Sequence, residues 1–86
     1  MNLFPILDAI IDSAGDMLRD RSSVEAALEP GNVDAYAENA MGISLSSDQV
    51  ARIISVGLEW VQAVNEGNGE WSRMRADAQE ALAESE

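Results

Sequence analysis

Behind the pair Ser46 and Gln49, apolar residues recur at three- and four-residue steps: Val50, Ile53, Ile54, Gly57, Leu58, Val61 and Val64. That period belongs to an α-helix, in which residues three or four apart share a face. The pair in front reads as a capping box. The Ser46 hydroxyl can accept from the Gln49 amide while the Gln49 side chain accepts from the Ser46 amide, and Leu45 can staple onto Val50. Val56 and Trp60 lie on the shoulder of the same face, so the apolar arc exceeds the roughly 100° that a surface helix needs. A helix over 47–66 with so wide a face has to be packed on two sides. The stretch NEGNG, residues 65–69, ends it in a turn.

The same period runs through the rest of the chain. Over 3–20, Asn2 can cap and Pro5 sits in the first turn, where a missing N–H costs nothing. Leu3, Ile6, Leu7, Ile10, Ala14, Met17 and Leu18 share one face of this helix. Asp8, Asp12, Asp16 and Asp20 fall opposite, and Gly15 weakens the helix without breaking it. Ser22 and Glu25 form a second capping box for a short helix over 23–29, which Pro30-Gly31 stops. Asn32 caps another short helix over 33–41, ended by Gly42 in a left-handed conformation. A final helix over 70–83 carries a narrow stripe of Trp71, Met74, Ala78, Ala81 and Leu82, and residues 84–86 should fray. There is no strand-like alternation and no internal repeat. The fold class is all-α: one acidic domain, residues 1–86, with three main helices and two short ones.

Composition sets the limits. A chain of 86 residues buries only somewhat more than about 60% of its unfolded surface. Phe4, Tyr36, Trp60 and Trp71 are the only aromatic residues, so the core has to be aliphatic. With no cysteine there is no disulfide framework and no thiolate metal site. No apolar run approaches the roughly 20 residues of a membrane span. The N-terminal MNLFPILDAII lacks a basic flank and meets Asp8 early, so a signal peptide is not expected. These features predict a soluble, cytoplasmic protein.

Catalysis finds little to work with. Histidine, cysteine and lysine are absent, which removes the usual general base, the thiol nucleophile and the Schiff-base amine. No serine stands in a G-x-S-x-G elbow. Neither an enzyme nor a cofactor is expected. The turn NEGNGE, Asn65 to Glu70, lacks the alternating oxygen ligands and the distal glutamate of a calcium loop, so no metal is expected there. An acyl carrier protein shares size, acidity and helicity, but needs a serine in an Asp-Ser-Leu setting at a helix start. Here GISLSSDQV offers Ser44-Leu45 with no preceding aspartate, and no carrier site is assigned.

Charge is the outlying property. Sixteen acids against five bases leave a net −11, and the bases are all arginines, at 19, 21, 52, 73 and 75. Such a field disfavours direct binding to a phosphate backbone or an anionic membrane and favours a basic partner. The Asp8–Asp20 row costs about 0.2–0.5 kcal/mol per like-charged pair, roughly 1 kcal/mol in all. Asp20 also opposes the helix dipole, offset by Arg19 and Arg21. A solvated face, an arginine-biased genome or adaptation to high salt explains one such row. None of them explains why Glu25/Glu29, Asp34/Glu38 and Glu80/Glu84 repeat the spacing without interspersed lysines.

The sequence therefore reads as a small acidic, non-enzymatic protein-binding module: a regulator, inhibitor or assembly factor for a partner with a basic surface. Its lysine-free compactness suits a phage or other mobile element. The partner-binding candidates are Asp8, Asp12, Asp16, Asp20, Glu25, Glu29, Asp34 and Glu38. Trp71 is a candidate anchor, since tryptophan is enriched at interface hot spots, whereas Trp60 is expected in the core. Two other readings remain. One is a DNA mimic, although charges four residues apart advance about 6 Å along a helix against about 3.4 Å between phosphates of one strand. The other is a structural homo-oligomer with a solubilising acidic surface, dimerising through Val50, Ile53, Ile54, Gly57, Val61 and Val64. Changing Asp8, Asp12 and Asp16 together to Asn should leave folding unharmed or slightly improved and weaken a basic partner's binding. A thermal melt and a salt titration of the complex check the two halves of that expectation.

Overall fold

A computed structural model describes residues 2–14 and 25–83. Among these residues the fold is built of helices α1 (Phe4–Ala14), α2 (Pro30–Met41), α3 (Ser47–Asn65) and α4 (Trp71–Ala83), and residues 25–27 ahead of α2 are helical as well. No strand occurs among the described residues. The all-α bundle read from the periodicity is the observed architecture. The part of the first helix expected over 15–20, the Ser22–Glu25 capping box and the tail at 84–86 involve residues outside those described.

The helix ends follow local chemistry. The Phe4 amide donates to Asn2 Oδ1 at 3.0 Å. At α3 both halves of the capping box form: the Gln49 amide donates to Ser46 Oγ at 3.2 Å and the Ser46 amide to Gln49 Oε1 at 2.9 Å. The NEGNG turn is a Schellman ending. Gly67 takes a left-handed φ of 76°, its amide donates to Val64 O at 3.1 Å, and the Asn68 amide donates to Ala63 O at 2.8 Å. Those bonds satisfy carbonyls that the helix terminus would otherwise leave orphaned. Gly42 ends α2 in the same conformation, with φ 65° and its amide on Glu38 O.

The start of α2 corrects the sequence reading. Pro30-Gly31 does not merely stop the preceding turn; Pro30 opens α2, with Glu29 at the N-cap and no side-chain cap bond. Proline suits a first helical position because its fixed φ is helical and its N–H would have been orphaned. Asn32 is accordingly inside the helix rather than before it. Its Nδ2 donates back to Ala27 O at 2.6 Å, tying the preceding turn to α2.

Helices α1 and α3 form the central pair. Each packs against all three other helices, while α2 and α4 flank the pair on opposite sides. Leu3, Ile6, Leu7, Ile10, Ile53, Trp60 and Val61 supply the inner core, joined from the flanks by Val33 and Ala37 of α2 and Ala78 and Leu82 of α4. Phe4 and Ile11 are also buried, which the single-faced reading of α1 left out. Flanking helices on both sides widen the buried arc beyond the one stripe. At the far end the Leu3 amide donates to Leu82 O at 3.1 Å, joining the first residues of the fold to its last helix.

Gly57 sets how closely the layers approach. A Cβ there would lie 2.7 Å from Leu7 Cδ1 and 2.9 Å from Leu28 Cδ1, and both leucines are buried. Val50, Ile53, Gly57 and Val61, read as part of a dimer face, therefore point into the chain's own core, and only Ile54 and Val64 of that set stay partly exposed. Gly57→Ala gains about 1 kcal/mol of helix propensity but overpacks the core, which costs about 1–3 kcal/mol. We expect a net loss of about 1 kcal/mol, read as a lowered Tm, because two buried leucines must move together. Gly57→Leu should abolish the cooperative transition.

Candidate functional site

The acidic residues do not form one continuous surface. Asp8 lies against α4, where its carboxylate accepts from Arg75 Nε and Nη2 at 3.3 Å each. The same guanidinium sits over the Phe4 ring, 5.1 Å from its centroid. Asp8 is thus bound up in the α1–α4 contact and half-exposed. Asp12, one turn on, is exposed; Asp16 and Asp20 lie outside the described residues. No helical spacing relates Arg75 to Asp8, yet changing Asp8 to Asn forfeits this ion pair, worth about 0.2–1 kcal/mol. The unharmed folding expected of the triple Asn variant has to be corrected to a small loss offset by the relieved i,i+4 repulsion.

On the other flank the picture differs. Glu29, Asp34 and Glu38 of α2 and its N-cap are exposed, as are Glu25 in the preceding turn and Asp48 in the first turn of α3. No base occurs anywhere in residues 25–51. The described bases all belong to the α4 side. Arg73 and Arg75 are on α4 itself, and Arg52 reaches across from α3 to donate from Nη2 to Ala81 O at 3.1 Å. Among the described residues, charge is thus mixed around α4 and of a single sign around α2.

Trp71 lies on the α4 side, apart from the α2 acids. It is 45% exposed and packs against Trp60, with ring centroids 4.9 Å apart and the planes tilted by 45°. Trp60 is buried as expected and stacks on Phe4 at 6.2 Å. Its Nε1 is enclosed without an acceptor, so packing within the core, and no hydrogen bond of the indole, holds the ring. The two tryptophans form a partly open aromatic ladder that closes the α3–α4 turn.

The α2 side also carries a groove of about 350 Å³. Val50 and Ile54 of α3 and Leu45 of the preceding loop form its apolar floor, and Pro30, Asp34, Ser47 and Ala51 form its walls. Sequence periodicity placed Val50 and Ile54 on the apolar face of the helix, with a homodimer as one reading of that face, and gave no reason to single out Pro30, Ser47 or Ala51. The signal that could have found this side is the unbroken absence of bases between Arg21 and Arg52.

Among the described residues, no group of three or more acidic, histidine or cysteine side chains is placed to hold a metal ion, and no helix is long and apolar enough to cross a membrane. Comparison with protein-family models, with characterised proteins and with solved structures finds no match.

The Asp8–Arg75 pair is exposed, and pairs of that kind contribute about 0.2–1 kcal/mol. A double-mutant cycle of Asp8→Asn and Arg75→Gln should give a coupling within that range, shrinking as salt rises. Arg75→Gln alone should cost more than Asp8→Asn, because it also removes the cation from the Phe4 ring. Equal losses would dissociate the ring contact from stability.

Proposed function

We propose that this chain is a small acidic, non-enzymatic protein-binding module, acting as a regulator, inhibitor or assembly factor on a partner with a basic surface. The observation that carries the reading is the charge segregation. Among the described residues the α2 side bears Glu29, Asp34, Glu38 and Asp48 with no base, while the arginines gather around α4. A surface that served only solubility would mix the two signs. A face of one sign instead raises the encounter rate with an oppositely charged protein and suppresses binding to nucleic acid. Trp71 lies on the opposite flank, so it is not part of this face.

The DNA-mimic reading draws less support. It requires adjacent dense rows, whereas Asp8 is paired with Arg75 of α4, and Asp34 and Glu38 stand about 6 Å apart along α2. The homo-oligomer reading keeps only Ile54 and Val64 as surface from its proposed face.

The test is affinity capture from an extract of the source cells, using the wild-type chain and Glu29→Gln/Asp34→Asn/Glu38→Gln as parallel baits. We expect one dominant protein on the wild type, released by rising salt, and held about tenfold more weakly by the variant. Equal capture by both baits across the salt series would reject the acidic face. Displacement of the captured protein by duplex DNA would favour the mimic.

A further inference from the structure

We propose that the groove between α2 and α3 docks a basic amphipathic helix of a partner protein, with the partner's apolar residues on the groove floor and its Lys or Arg side chains against the rim. This rests on the acidic-module reading and adds the place of contact and the shape of the partner.

The floor has helical spacing. Val50 and Ile54 are one turn apart, as are Ser47 and Ala51 beside them, so the lined part of α3 runs from 47 to 54. That is about 10 Å of helix axis, the reach of two successive anchors on a helix laid into a groove. The groove exists because small residues, Ser47 and Ala51, occupy a row where leucines would fill it. The core does not need that row, since Ile53, Trp60 and Val61 are already buried elsewhere. A volume of about 350 Å³ lies at the low end for small-molecule pockets, which enclose most of their ligand. Here Pro30, Asp34, Ser47 and Ala51 are all exposed, so the groove is open to solvent. It suits side chains presented by a larger body.

Charge selects the occupant. Asp34 is itself a wall of the groove, Glu38 follows one turn along α2, Glu29 precedes Pro30, and Asp48 follows Ser47. A second copy of this chain, at net −11, would bring acid against acid, and like-charge juxtaposition in an interface is strongly unfavourable. Nucleic acid fails on the same ground and has no use for an aliphatic floor. A helix with an apolar face and a basic face satisfies both features.

The experiment uses a fluorescein-labelled synthetic peptide of about five helical turns, with leucines along one face and lysines on the other. Two controls accompany it: glutamate in place of every lysine, and the same composition with the leucines scattered around the helix. Anisotropy titrations at about 0.15 M salt compare the wild type, Ala51→Gln and Glu29→Gln/Asp34→Asn/Glu38→Gln. Ala51 is exposed on α3 and glutamine is a good helix former, so this variant should fold. It also keeps the net charge, so a loss of affinity reports the groove and not the field. Expected are binding of the amphipathic lysine peptide, about tenfold weaker binding of both controls, and about tenfold loss in each variant. Methyl chemical-shift changes in the wild type should centre on Leu45, Val50 and Ile54. Unchanged binding by Ala51→Gln, or methyl shifts centred elsewhere, would overturn the groove. If the acid-neutralised variant still weakens, the acidic reading stands without it. Unchanged binding by that variant alone would reject the acidic reading and the basic partner together. Wild-type self-association that Ala51→Gln abolishes would assign the groove to a second copy and overturn the proposal.

Discussion

The close contact at Gly57 is the constraint around which the bundle is built. With hydrogen in place of a side chain, α3 lets the Leu7 and Leu28 methyls approach to where a Cβ would stand. That approach brings α1 and the turn before α2 onto α3 at one point, so a short α1 touches all three other helices. In so small a chain the core has no surplus residues to fill a wider gap. Gly57 interrupts helix propensity at the centre of the longest helix, and the packing around it outweighs that cost.

The flanking helices bring little apolar surface of their own. Only Ala78 and Leu82 of α4 are buried, and only Val33 and Ala37 of α2. On the α4 side, other contacts make up the deficit: Arg75 against Asp8 and Phe4, Arg52 on the Ala81 carbonyl, the Trp60–Trp71 pair and the Leu3–Leu82 backbone bond. The arginine Nη2 on Ala81 O also places a cation at the C-terminal end of α4, where the helix dipole favours it. Each described base whose contacts are resolved thus has a role in holding α4. Among the described residues, the surface around α2 keeps a single sign.

Helix existence was legible in the sequence because period and caps agree: Ser46–Gln49, Asn2 and Gly42 each do what their side chains or φ freedom allow. The start of α2 was misread because Pro-Gly is a stop signal and a start signal alike, and only the packing of Val33 and Ala37 decides between them. The burial of Phe4 and Ile11 depends on which helices flank α1, which no local window contains. The candidate site was legible by residue type but not by arrangement. Asp8 and Arg75 are separated by most of the chain, and Arg52 and Ala81 by a helix and a half, and it is these long-range contacts that hold Arg52 and Arg75 on the α4 side.

Asp34 and Glu38 are not placed to help α2. A helix arranged for its own stability carries acids in its first turn and bases in its last, and α2 has neither. Glu29 at the N-cap suits the dipole, though it makes no side-chain cap bond, but Asp34 and Glu38 repel each other at i,i+4, and Glu38 lies towards the negative end of the dipole. These costs are a few tenths of a kcal/mol each. They are also the costs that a cation between Asp34 and Glu38 would remove. A basic helix seated along α2 would relieve the repulsion, cover the Val50–Ile54 floor and stabilise the helix in one event, so its binding free energy and the stability of α2 would be linked.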